Sequence, residues 1–199
     1  MGFNQSFLRG GIVFAGVIAL LAAVSSSNLY ASTYQVDNTQ SKVFFKVRKM
    51  ASDMAGEFTR FRGQLELDPE IHLPSQIAAT IEVSSVDTEE GETTDSFVRR
   101  KLLKGDKFPE ITFKSKRIEN GKVIGDLTMR GVTKEVAFDF VFHGLSNDPA
   151  GQPRAAFSAT TRLDRKDFDM KFSRLFDRGG AFLSNTILMT IQFQAFLIN

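Results

Sequence analysis

Over residues 42–199 the chain alternates apolar and polar positions with a period of two, the pattern of strands that bury one face and wet the other. Val43, Phe45 and Val47 alternate with Phe44, Lys46 and Arg48. Phe61, Gly63, Leu65 and Leu67 alternate with Arg62, Gln64, Glu66 and Asp68, and Ile77, Ala79, Ile81 and Val83 with Ala78, Thr80, Glu82 and Ser84. The same rhythm returns at Ile111 and Phe113, at Val123, Gly125, Leu127 and Met129, and at Val136, Phe138, Phe140 and Phe142. Two further strands are expected over 155–163 and 185–198, the last with Ile187, Met189, Ile191 and Phe193 on one face. Turn signals separate these runs: Asp68-Pro69, Leu73-Pro74, Asn120-Gly121, Arg130-Gly131, residues 144–153 and Arg178-Gly179-Gly180. Asn120-Gly121 between two alternating runs predicts a tight hairpin. Only residues 93–107 break the rhythm: Phe97, Val98, Lys101, Leu102 and Lys104 predict a short amphipathic helix, capped by Thr94 or Asp95 and ended by Gly105. Eight or so strands with short connections and one helix predict an all-β domain, either a closed up-and-down antiparallel barrel or a sandwich.

The N-terminus differs in kind. Arg9 is the one charge before an uncharged apolar run over 11–24, which leads through Ser25, Ser26, Ser27 and Asn28 to the small Ala31. This order predicts a signal peptide over residues 1–31, removed after Ala31. The apolar run falls short of the about 20 residues a spanning helix needs, and no cysteine follows it to carry a lipid anchor. Residues 32–199 are then expected to form one exported domain with a core of its own. With 25 Lys+Arg against 23 Asp+Glu, the chain has no electrostatic footprint for nucleic acid. The absence of cysteine removes disulfides, thiolate metal sites and cysteine nucleophiles together.

Catalytic signatures are equally sparse. His72 and His143 fall in expected loops and share no ligand spacing, so a zinc site lacks a third ligand, and no cofactor or metal is expected. Neither a nucleophile elbow nor a nucleotide-binding fingerprint is present, which leaves a serine hydrolase as a formal alternative only. What the chain has in excess is phenylalanine: 20 in all, with only Phe3, Phe7 and Phe14 in the leader, and no tryptophan. Those on the inward parity, among them Phe45, Phe61, Phe113, Phe138, Phe140, Phe142, Phe157 and Phe193, either fill a core or line an apolar tunnel. Gly63, Ala79, Gly125, Ala159 and Ala195 on the same parity leave room for a tunnel. Arg99, Arg100, Lys101 and Lys104, with Lys107 beyond, form a basic cluster on the expected helix. It reads as a solvated face, or as a clamp for an anionic head group if the helix covers a barrel mouth.

A series of motifs runs through the domain in a familiar order. Tyr34-Gln35-Val36-Asp37, Ser41-Lys42-Val43-Phe44-Phe45-Lys46-Val47, Gly56-Glu57-Phe58-Thr59-Arg60-Phe61-Arg62-Gly63, Ser85-Val86-Asp87-Thr88 and Phe108-Pro109-Glu110-Ile111-Thr112-Phe113-Lys114-Ser115 each resemble a segment of the YceI-like, polyisoprenoid-binding family. The most specific stretch is Gly125-Asp126-Leu127-Thr128-Met129-Arg130-Gly131-Val132-Thr133-Lys134, close to that family's Gly-Asp-Leu-Thr-hydrophobic-x-Gly-Val-Thr-Lys. The resemblance implies a lipocalin-like barrel of eight antiparallel strands. It also implies a periplasmic location and a non-catalytic carrier that holds a long isoprenoid, of the quinone or prenyl phosphate type, or another apolar lipid. Carried over through the matched motifs, Phe45, Val47, Phe61, Ile81, Ile111, Phe113, Leu127 and Met129 are the implied tunnel lining; alternation adds Phe138, Phe140 and Met189. Arg99, Arg100 and Lys104 are the candidate head-group contacts.

Three departures from the family pattern stand out. Only Asp95 remains of an Arg-Asp-x-His-Leu segment, Lys49 replaces a histidine on the second strand, and Asp169 replaces the glycine of an Arg-x-x-Phe-Gly motif. A rival reading is a non-catalytic envelope stress or interaction module, its barrel filled by side chains and its basic helix in transient contact with a membrane surface or partner. A homodimer is one assembly compatible with either.

Overall fold

Period-two alternation is realised as one antiparallel sheet that closes on itself. The computed structural model describes residues 31–49, 52–68, 71, 73–171 and 183–198, so residues 1–30 of the expected leader, His72 and the Arg178-Gly179-Gly180 turn lie outside the described residues. The strands are β1 (Ser32–Val36), β2 (Lys42–Lys49), β3 (Ser52–Phe58), β4 (Phe61–Leu67), β5 (Pro74–Glu82), β6 (Val86–Thr88), β7 (Glu110–Glu119), β8 (Lys122–Met129), β9 (Val132–Asn147), β10 (Pro153–Asp164) and β11 (Leu183–Leu197). Helix α1 (Glu92–Phe97) passes into a wider turn at Val98–Leu102 between β6 and β7.

Pairing shows that six of these segments are three long strands, each broken in the middle. β1 and β2 lie one after the other along β11, β4 and β3 run back along β1 and β2, and β5 and β6 follow β4 and β3. Strands β7 to β11 then add in sequence order. The result is an eight-stranded up-and-down antiparallel barrel with one short helix, the fold class the sequence implied. Its lower half is a hydrogen-bonded ring, β1-β4-β5-β7-β8-β9-β10-β11, closed by the β1–β11 pair. The upper half, β2-β3-β6, hangs from β11 and ends at β6.

The breaks at 37–41, 59–60 and Val83–Ser85 fall level with one another and satisfy each other's backbone groups. Thr59 N donates to Ser85 O at 3.1 Å, Glu82 N to Arg60 O at 3.0 Å, and the Asn38 amide donates to Thr59 O at 3.1 Å. Above the breaks β6 pairs only with β3, and α1 fills the gap before β7. On the outside of the ring, Arg154 of β10 reaches across β11 to clamp the closure. Its guanidinium donates to Asp37 at 2.6 Å and to Asp148 at 3.1 Å, and lies over the Phe196 ring.

Two tight hairpins carry positive φ at both turn residues, Asn120 (51°) with Gly121 (70°) and Arg130 (54°) with Gly131 (74°), the conformation whose twist matches the flanking strands. Other local expectations change. The helix starts at Glu92 with Gly91, which has no side chain to cap with, at its N-cap; the expected cap Asp95 lies inside the helix, and its buried carboxylate accepts from Thr88 N at 2.7 Å and Thr88 Oγ1 at 2.6 Å. The helical run stops before Lys104, which adopts a φ of 52°, and Gly105 N donates to Arg99 O at 2.8 Å. His143 and Gly144 belong to β9 rather than to a loop, with Gly144 at a bulge opposite Ala156, so the turn itself narrows to 148–151.

Candidate functional site

Alternation turns one face of every strand inward, and the core is therefore a single buried cluster along the barrel axis. Phenylalanines dominate its lower half. Phe61 stacks on Phe193 at 5.5 Å between centroids, Phe193 meets Phe157 edge-on at 5.3 Å, and Phe157 continues to Phe140 at 5.7 Å. Phe113 meets Phe138 at 5.2 Å.

Among the described residues, this interior holds two apolar cavities, one in each half. The lower, of about 50 Å³, is walled by Ile81, Phe113, Leu127, Phe138, Phe140 and Phe193 among others, with Ala79 and Ala159 leaving the space. The upper, also of about 50 Å³, is walled by Phe45, Val47, Met129, Leu163 and the helix residues Val98 and Leu102. Ile111 and Met189 border both and form a neck between them. Of the residues expected to line a tunnel, only Phe61 borders neither cavity; it is spent on Phe193. The walls hold no charged residue.

Ligand pockets usually measure several hundred cubic ångströms, so a long chain fits here only if side chains move. The halves differ in how easily they can. Met54, Met129, Met170 and Met189 all border the upper cavity, and unbranched thioethers reshape at small cost. The lower half is built from rings in mutual contact.

Charged groups gather at the helix end. Because Val98, Leu102 and Leu103 face the cavity, the helix presents its basic side chains outward: Arg99 pairs with Glu92 at 2.9 Å and Arg100 is exposed. Lys104 differs, since its charge acts on Asp169. The Asp169 carboxyl is held below the usual carboxylate range, first by Lys171 at 3.2 Å and then by the charges of Arg130 and Lys104. Asp169 itself sits at φ 56°, a left-handed conformation that favours glycine. Arg130 was not singled out by its sequence context. The available signal was an arginine at the first place of a tight turn that usually takes Asn, Asp or Gly. Exposed His143 shares a 2.9 Å hydrogen bond with Ser158 and borders neither cavity, and among the described residues no group of three metal-binding side chains occurs.

The model of the YceI-like domain matches residues 34–195. A UPF0312 protein of Vibrio parahaemolyticus is 34% identical over 148 residues, covering 70% of this chain and 78% of the relative. Among solved structures, the YCEI protein of Campylobacter jejuni is similar at 25% identity and a TM-score of 0.59, over 72% of this chain and 85% of that one. A polyisoprenoid binding domain from Saccharophagus degradans, implicated in plant cell wall breakdown, shares the fold with a TM-score of 0.66 at 15% identity, over 83% and 98% of the two chains.

Proposed function

Because this chain belongs to the YceI-like family, we propose that it is an exported, periplasmic carrier that holds a long apolar lipid, a polyisoprenoid of the quinone or prenyl phosphate type, inside its barrel and performs no catalysis. The observation that carries this reading is the pair of apolar cavities stacked end to end, with Ile111 and Met189 as a shared neck and no charged group in their walls. Burying a lipid chain there gains about 0.8 kcal/mol per methylene, so tight retention needs no reactive residue. Occupation requires Met189 and its neighbours to move aside and join the two spaces.

Native mass spectrometry of protein purified from its own envelope tests this directly. The expected spectrum shows a stoichiometric lipid adduct on a chain lacking residues 1–31, recovered in the periplasmic fraction. The small size of both cavities favours one rival, a filled barrel acting as an envelope interaction module. An empty protein that also takes up no added geranylgeraniol would establish that rival instead.

A further inference from the structure

Buried polar groups are almost always hydrogen-bonded, so an unpaired one asks for a ligand. Among the described residues, the Nε of Arg130 is the buried side-chain atom left without a partner, on a residue only 8% exposed. Its backbone is held firmly: Gly131 lies so close under the Phe108 ring that a Cβ there would come within 2.6 Å of it. The surroundings are organised around the upper cavity. Met129, Leu103 and Met170 line that cavity, and the next residue or the one before in each case is charged: Arg130, Lys104 and Asp169. Three cations, Arg130, Lys104 and Lys171, thus act on one carboxylate, Asp169, at the rim of an apolar cavity.

We propose that Arg130 and Lys104 form an anion-binding site at the helix end of the barrel, which takes the phosphate or diphosphate head of a lipid whose chain occupies the cavities below. This rests on the reading of the interior as a lipid site. The guanidinium is suited to the task because its planar fork matches two phosphate oxygens at once. Asp169 is the internal counter-ion that the incoming phosphate displaces. Arg99 is paired with Glu92 and Arg100 is exposed, and neither is needed for this site.

Calorimetric titration of the delipidated protein, produced from the full chain, separates the sources of the anion. The ligands are geranylgeranyl diphosphate, geranylgeraniol and inorganic diphosphate. The diphosphate ester is expected to bind about tenfold to a hundredfold tighter than the alcohol. Arg130→Gln should bring that ratio towards one, and Asp169→Asn should raise it several-fold. A gain cannot arise from misfolding, so the second variant decides the matter even if the first fails to fold. Equal binding of ester and alcohol, or a ratio that Asp169→Asn does not raise, overturns the anion site while leaving the lipid carrier standing. Inorganic diphosphate binding as tightly as the ester shows a free-anion site and overturns the lipid head. If neither lipid binds, the carrier reading fails and the head-group site fails with it.

Discussion

Truncating the neck residue, Met189→Ala, tests whether the interior opens as one channel. Met189 is 5% exposed and borders both cavities. Removing its outer atoms forfeits about 2 kcal/mol of burial, and the space of a few tens of cubic ångströms left behind adds about 1 kcal/mol. A loss of about 3 kcal/mol corresponds to a fall of roughly 6–12 °C in Tm for a domain of this size. The same change joins the two cavities without side-chain rearrangement. Geranylgeraniol should therefore raise the Tm of the variant by more than it raises that of the wild type, since stabilisation by a ligand grows with the logarithm of its concentration over Kd. Thermal melts followed by circular dichroism, with and without the alcohol, give both quantities. A lipid-induced shift equal to or smaller than the wild type's would refute Met189 as the neck, and a Tm loss under about 2 °C would refute its packing.

Three further outcomes are expected. Asp95→Ala removes the acceptor of both Thr88 bonds that pin α1 to β6, costing about 2–4 kcal/mol and speeding hydrogen exchange at 92–103 relative to the β7–β11 amides. Gly125→Ala places a Cβ 2.3 Å from the Lys114 carbonyl oxygen and 2.7 Å from Ser115 Cα, so β7 and β8 must part; urea unfolding should register about 1–3 kcal/mol. The carboxyls of Asp37 and Asp148 lie below the usual range, Asp37 chiefly through the Thr39 hydroxyl and then Arg154, Asp148 chiefly through the Gln152 backbone amide. Depressed folded values stabilise the protein above the unfolded value of about 4, and this contribution disappears as pH falls through that range towards the folded values. Tm should accordingly drop on acidification, and drop less in Arg154→Gln; an unchanged slope in that variant would remove the clamp from the account.

The eight runs of alternation were legible because each carries several large inward residues. Strands β1, β3 and β6 were not, for reasons that packing supplies. In β3 the inward positions are Met54, Gly56 and Phe58, and the middle one must lack a side chain: a Cβ on Gly56 would lie 2.7 Å from Asp87 O and 2.8 Å from the Phe45 ring. Close approach of two strands thus erased the very signal that reveals strands. β6 is three residues long, too short for any period. At the helix end, alternation says nothing of Arg130, because a turn residue has no parity, yet it is buried. The size of the interior was likewise out of reach. Inward phenylalanines are the same letters whether they meet one another, as Phe157 and Phe193 do, or stand apart around a space.

The level breaks in the first three strands explain why the two halves of the barrel behave differently. Below them the ring closes through the β1–β11 pair, and its one unladdered edge is on β9, where Phe138 and the residues before it have no β10 partner. Two stretches of wall thus lack ladder bonds on one side, and only the first lies wholly in the upper half. β6 has no partner on its far side, where α1 lies, and β9 pairs with β10 only from Asp139 onward, leaving 132–138 paired to β8 alone. The turn Arg165–Phe168 packs against β9 at that second opening. Buried side chains of Val98, Leu102, Phe168 and Met170 stand at these stretches where backbone bonds are missing. On the reading proposed above, a lipid enters from the upper end, past methionines that reshape at small cost, and its apolar end meets the aromatic rings of the lower half. On the same reading, the polar end of that lipid is left at the rim, beside Arg130.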